Sequence, residues 1–173
     1  MVEQENTLRP SSLLAVARSM MSAARTAPKA CGVDSLEIAV VTGDDIKLLA
    51  DKMREIGPKL GKDFFVRDAG NIVLAEAIVL LGMRNQTLGL NCALCGYATC
   101  EMKPATNPCF FKAQDLGIAI GSAASVAADN RVDSRVMYSV GVAAMELNFL
   151  PLCHAVMAIP ISATGKSPFF DRK

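Results

Sequence analysis

The sequence predicts an α+β domain, a small mixed sheet flanked by helices, with a cysteine-rich loop inserted between a central strand and a core helix. Three observations predict it. Apolar residues at helical spacing alternate with short β-branched runs, in the order helix, strand, helix, strand, helix, helix, strand. Between the second strand and the third helix the periodicity stops, and four of the six cysteines fall in that gap. No repeat, low-complexity tract or linker-like run divides the 173 residues, so one domain is expected over 1–173, with the loop at 89–110 inside it.

Ser11 and Ser12 are candidate caps for a helix to about Thr26, with Leu13, Leu14, Ala17, Met21 and Ala24 on one face and Pro28 and Gly32 beyond its end. Leu36-Glu-Ile-Ala-Val-Val41 reads as a strand apolar enough to be buried on both faces. Thr42-Gly-Asp-Asp45 has capping-box spacing and opens a helix with Ile46, Leu49, Met53 and Ile56 inward, stopped by Gly57-Pro58. The stretch 58–75 is less periodic: Phe64-Phe65-Val66 reads as a short strand or plug, and Arg67 to Asn71 as a turn. Residues 75–83 read as a central strand.

After the loop, 110–130 reads as a long helix. Gly117, Gly121, Ala124 and Ala128 form a small-residue stripe, which marks a helix of the core or of a dimer interface. Two helix-interior glycines cost about 1 kcal/mol each against alanine, and close packing is the compensation expected. A further helix runs from Val132-Asp133-Ser134 to about Asn148, and a last strand over 153–159 ends at Pro160. The tail is polar apart from Phe169-Phe170.

The chemistry concentrates in Cys92, Cys95, Cys100 and Cys109, spaced C-x2-C-x4-C-x8-C among turn-forming Gly89, Gly96, Pro104 and Pro108. Four thiolates on one loop suit a single metal centre, and all-cysteine ligation leaves zinc or an iron–sulfur cluster. Structural zinc sites more often pair two Cys-x2-4-Cys knuckles, whereas three cysteines in a tight loop plus one further along favour a 4Fe-4S cluster. Gly96, lacking Cβ, lets backbone N–H groups approach sulfur. Asp115 and Glu101 are charges close enough in sequence to tune such a centre, or else ordinary helix-start and loop carboxylates. Cys31 and Cys153 stand alone and are expected to be buried and inert. His154, the only histidine, follows Cys153 on a strand, so alternation separates their side chains and argues against a catalytic pair.

The 18 basic and 17 acidic residues leave a net charge of +1, which favours neither nucleic acid nor an acidic membrane surface as partner. The longest apolar runs fall short of the roughly 20 residues that a membrane helix needs. The amino terminus lacks the pattern of a signal peptide, and free thiols suit a reducing compartment, so a cytoplasmic location is expected. At 51% hydrophobic, the chain also has apolar surface to spare for a subunit interface.

Cys-Ala-Leu-Cys-Gly-Tyr-Ala-Thr-Cys100, with Asp115-Leu-Gly-Ile-Ala-Ile-Gly-Ser-Ala and Asp133-Ser-Arg-Val-Met-Tyr-Ser-Val-Gly, resembles an uncharacterised prokaryotic family of ferredoxin-domain-containing proteins. The Cys-x2-Cys-Gly-x3-Cys segment is also similar to the 4Fe-4S motif of electron-transfer complex subunits and corrinoid proteins. There the fourth cysteine lies further along than Cys109 does here. More faintly, Ala23-Ala-Arg-Thr-Ala-Pro28 followed by the strand at 36–41, the helix from Asp115 and the strand at 155–159 resemble flavin-dependent nitroreductases. That resemblance implies a nitroreductase-like fold and an intertwined homodimer. It does not carry the FMN site with it. That family grips the cofactor with an arginine-rich segment before its first helix, where this chain has Arg9 alone. Lys166, Arg172 and Lys173 are left as phosphate contacts or a solvated basic tail.

The resulting expectation is a 4Fe-4S electron-transfer protein with an unknown redox partner. Two alternatives stand beside it: a flavin-dependent oxidoreductase fed by the cluster, and a zinc-stabilised binding module without redox chemistry.

Overall fold

The computed structural model describes residues 1–170. Its elements are α1 (Glu5–Thr26), β1 (Leu36–Val41), α2 (Asp44–Lys59), α3 (Phe64–Ile72), β2 (Ala77–Arg84), α4 (Phe110–Asp129), β3 (Asp133–Ser134), α5 (Tyr138–Glu146) and β4 (Cys153–Ser162). The strands form one sheet in the order β1-β2-β4-β3, antiparallel at every pairing rather than mixed.

Strand alternation divides the core between the two faces of this sheet. On one face Ala77, Val79, Leu81, Ile159 and Ile161 pack against Leu13, Ala17 and Met20 of α1 and Leu116, Ala119 and Ala123 of α4. On the other, Ile78, Leu80, Val156 and Ala158 meet α2, α3 and α5 through Leu49, Met53, Phe65, Ile72 and Val140. β2 is central, as its apolar run predicts. β1 lies at the edge, and its middle residues are only half-buried.

Helix boundaries differ from the sequence reading for local reasons. α1 begins at Glu5, with Pro10 inside it and Ser11 in its second turn, where the Ser11 hydroxyl donates to Leu8 O at 2.8 Å. The Asn6 carbonyl that Pro10 leaves without a donor lies near the exposed end of the helix, where water can serve it, and a Glu5–Arg9 pair at 2.6 Å supports the same turn. α2 buries the four expected residues but starts without a side-chain cap, and it runs past Pro58 to Lys59. The segment 64–72 is helical, neither strand nor turn. Phe65, Asp68, Ala69 and Ile72 are its buried stripe, and that stripe outweighs Gly70 and Asn71.

Asp133 and Ser134 do not open a helix. They pair with Ser162 and Ile161 on the open edge of β4, and Met137 exchanges backbone bonds with Ala158 at 2.8 and 3.2 Å before α5 begins. β4 continues through Pro160 to Ser162. Pro160 shares the parity of Ala158, so its missing N–H faces the β3 side, where pairing has lapsed between Met137 and Ser134. Phe169 is 1% exposed and joins the core, and Arg135 donates to its carbonyl at 2.8 Å. Among the described residues no helix is long and apolar enough to cross a membrane.

Candidate metal centre

Between the end of β2 at Arg84 and the start of α4 at Phe110 there is neither helix nor strand. Irregular loops of that length are uncommon in compact folds and usually functional. The sequence holds this one together through side chains. Asn91, in the left-handed region at φ 48, accepts the Cys100 N–H on Oδ1 at 2.8 Å. Asn107 donates to the Tyr97 hydroxyl at 3.0 Å, and the Asn85 amide donates to the Ala105 carbonyl. Lys103 folds inward, its ammonium donating to the carbonyls of Pro104 at 3.2 Å and Asn107 at 2.5 Å.

Along this loop Cys92 is exposed, Cys95 and Cys100 are half-buried and Cys109 is buried, all as free thiols. Ala93 at φ 58 and Gly96 at φ 87 turn the backbone around the first knuckle, where the Gly96 N–H donates to Ala93 O at 2.9 Å. A left-handed alanine is strained, and such strain collects at functional loops. Cys109 is the cap residue of α4, so the positive end of the helix dipole lies behind it. Among the described residues, no three Cys, His, Asp or Glu side chains are grouped to hold one ion. The loop carries the four thiols without drawing three of them together. The all-sulfur donor set fits an iron–sulfur cluster or zinc.

The remaining candidate residues lie apart from this set. Asp115 is 2% exposed, and its Oδ1 accepts the Ala30 N–H at 2.9 Å. Lys112, fully buried, reaches Asp115 Oδ2 at 3.4 Å and the Val33 carbonyl at 2.5 Å. This pair clamps the 30–33 turn to α4, which makes Asp115 an anchor of that turn. A cleft of about 280 Å³ lies beside this clamp, lined by Pro28, Lys29 and Ala30 and by Phe111, Gln114 and Ile118 of α4. Cys31, on the turn at φ 56, is exposed rather than buried. Cys153 is half-buried over Gly82, and burial, then the charge of Glu37, push its thiol above the ordinary value. His154 is half-buried beside it, and Glu101 is exposed. Gly117, Gly121 and Ala128 face outward, away from the core side of α4. Arg172 and Lys173 lie outside the described residues.

A second concavity, of about 490 Å³, opens between the start of α1 and the end of α4, lined by Leu8, Arg9, Ser12, Val16, Asn130 and Val132 among others. Its one arginine is already bonded to Glu5 through two nitrogens, at 2.7 and 2.6 Å. The cleft has room for a ring system but offers a phosphate no free arginine.

A protein of Archaeoglobus fulgidus described as uncharacterized is 42% identical over 163 residues, 88% of each chain. The family described as "uncharacterized protein containing a ferredoxin domain (DUF2148)" matches residues 105–172. The chain belongs to this ferredoxin-domain family. Among solved structures, the Lactococcus lactis nitroreductase CinD, in complex with chloramphenicol, is similar at TM-score 0.60 and 16% identity, over 98% of this chain and 86% of that one. A putative nitroreductase of Desulfovibrio desulfuricans in complex with FMN gives TM-score 0.59 at 15% identity, over 92% and 78%. At such identities the likeness shows the fold, which is nitroreductase-like.

In this ferredoxin-domain chain the sequence reading missed Asn91, Lys103 and Lys112. Asn91 carried a signal, since asparagine tolerates left-handed backbone and bonds nearby N–H groups. The two lysines carried none, because burial of a lysine is set by what packs over it.

Proposed function

We propose that this ferredoxin-domain protein is an iron–sulfur redox protein, with Cys92, Cys95, Cys100 and Cys109 holding a 4Fe-4S cluster that passes single electrons. The observation that carries the reading is the run of four free thiols on one irregular loop, stitched by its own side chains. The ferredoxin domain in the family's description favours iron and sulfide over zinc. A bound cluster supplies one-electron oxidation and reduction. The chain's part is to hold the thiols, exclude water with Cys109 buried, and set the potential through nearby charge and N–H donors.

The cleft beside Arg9, on a fold whose solved neighbour holds FMN, favours one second reading: a flavin-dependent oxidoreductase fed by the cluster. We also place a homodimer contact on the outward Gly117, Gly121 and Ala128 stripe of α4.

The test is absorbance and electron paramagnetic resonance on anaerobically purified protein, with iron, sulfide, zinc and flavin counted together. Iron and sulfide near four per chain, with a one-electron signal on reduction, is the expected result. Stoichiometric zinc in colourless protein sinks the redox reading, and iron and sulfide without flavin sink the second one.

A further inference from the structure

The outer edge of β1 is open over two residues, and a cleft lies beside it on each face of the sheet. The Arg84 N–H donates to the Ser35 carbonyl at 3.0 Å, which sets the phase of the β1–β2 ladder. Glu37 opposite Gly82 and Ala39 opposite Leu80 therefore bond inward to β2. Leu36, Ile38 and Val40 turn their N–H and C=O groups the other way. Leu36 is capped there, since Asp34 accepts its N–H and Arg25 donates to its carbonyl, both at 2.9 Å. Ile38 and Val40 have no such partner among the described residues. Edge strands are ordinarily blunted by proline, lysine or a bulge. β1 has none of these: it reads Leu-Glu-Ile-Ala-Val-Val and pairs with β2 in unbroken register.

Alternation gives each face its own cleft. Ile38 lines one of about 310 Å³ with Met21, Ser22, Arg25 and Thr26 of α1. Its polar groups are spent inside the chain: Ser22 and Thr26 donate to helix carbonyls, and Arg25 is bonded to Asp34. On the opposite face Ala39 and Val41 line a cleft of about 200 Å³ with Leu80, Phe149 and Asp45. Asp44 is paired with Lys47 at 2.7 Å, whereas Asp45, the charge in this cleft, has no partner among the described residues.

We propose that β1 is a docking edge for an extended segment of another protein. That segment carries two adjacent apolar side chains and a lysine or arginine two positions beyond the second. Its backbone bonds Ile38 and Val40, its apolar side chains enter one cleft each, and its cation sits beside Asp45. A second copy of this chain fits the edge less well. Two copies pair about a two-fold axis, and the register that bonds all four free groups sets Ile38 opposite Val40. It also sets Glu37 of one copy opposite Val41 of the other, on the face that carries Asp45, so like charges meet twice. The proposal is independent of the metal reading.

Two fluorescein-labelled peptides, Ser-Thr-Leu-Val-Thr-Lys-Thr-Ser and its reverse, offer this pattern to the full chain in both strand directions. Fluorescence anisotropy is expected to show one of them binding. Hydrogen exchange should then show the Ile38 and Val40 amides slowed, while those of Glu37 and Ala39 are slow with or without peptide. Asp45→Lys is expected to weaken that peptide about fivefold, and to strengthen a version with glutamate for lysine by a similar factor. Binding by neither peptide overturns the proposal. So does binding that leaves the Ile38 and Val40 amides in fast exchange, or that Asp45→Lys does not change. Protection of those amides that rises with protein concentration, without peptide, means that a second copy fills the edge, and it overturns the proposal as well.

Discussion

Asn91 Oδ1 accepts the backbone N–H of Cys100, nine residues ahead, at 2.8 Å. The bond ties the residue before the first loop cysteine to the third one. Replacement by alanine removes the acceptor and leaves a side chain poorly suited to φ 48. The expected loss of about 1 kcal/mol lowers Tm by about 2–4 °C. Metal content after anaerobic purification is expected to fall severalfold, because the thiols lose their relative placement. Asn91→Asp keeps the acceptor and should keep the metal. Equal metal content in the alanine variant would remove Asn91 from the site.

The Lys112–Asp115 pair makes a sharper prediction about stability. Asp115→Ala strands a buried ammonium and frees the Ala30 N–H, so a loss of about 3–5 kcal/mol is expected in chemical denaturation. Removing both charges, as Lys112→Met with Asp115→Leu, should cost less than Asp115→Ala alone. A double variant that equals the sum of its singles would mean that the two side chains do not interact.

Glycines at two contacts separate rigid from yielding neighbours. A Cβ at Gly141 would lie 1.9 Å from the Val156 carbonyl oxygen, so α5 touches β4 backbone to backbone. Gly141→Ala is therefore expected to cost about 3 kcal/mol or more. At Gly82 the nearest atom is Cys153 Sγ, at 2.4 Å, a side chain that can be shortened. Gly82→Ala should destabilise and be partly rescued by Cys153→Ala, as read by urea midpoints, whereas no such partner change rescues Gly141.

Cys153 also gives the chain a pH dependence. Burial first, then the Glu37 charge, raise its folded pKa above the unfolded thiol value of about 8.5. The folded state thus binds the proton more tightly. The stabilisation is complete below the unfolded value and is lost as pH rises through the folded one. Cys153→Ala should flatten the decline of Tm on the alkaline side of about pH 8.5. With iodoacetamide near neutral pH, peptide mass spectrometry is expected to find exposed Cys31 modified well before Cys153.

What the sequence made legible follows from how local each signal is. β2 announced itself because a strand buried on both faces is an uninterrupted apolar run, and α4 because its small and apolar residues recur over five turns. The loop thiols were visible as spacing alone. α1's true start was hidden behind Pro10, whose cost depends on the exposure of the carbonyl it orphans. α3 was hidden because Gly70 and Asn71 outweighed a stripe of four residues. β3 and the residues beside it turn on pairing with β4 some two dozen positions later, which no local pattern encodes. The burial of Lys103 and Lys112 has no local sequence signal, because it is decided by what the chain packs over them.

The outward stripe on α4 supplies a last prediction, in which fold and association part company. Nothing lies within 4 Å of a Cβ built at Gly117 or Gly121, so the protomer tolerates a side chain at either position. Alanine at each should raise the stability of the isolated protomer by up to about 1 kcal/mol through helix propensity. A bulky, charged residue has a different effect if a second copy packs there, since close approach of two helices leaves no space for it. Gly121→Arg is therefore expected to keep the circular dichroism spectrum and the urea midpoint of a dilute, monomeric sample. In sedimentation velocity the expected outcome is a dimer for wild type and a monomer for Gly121→Arg. A variant that still sediments as a dimer would move the contact off α4.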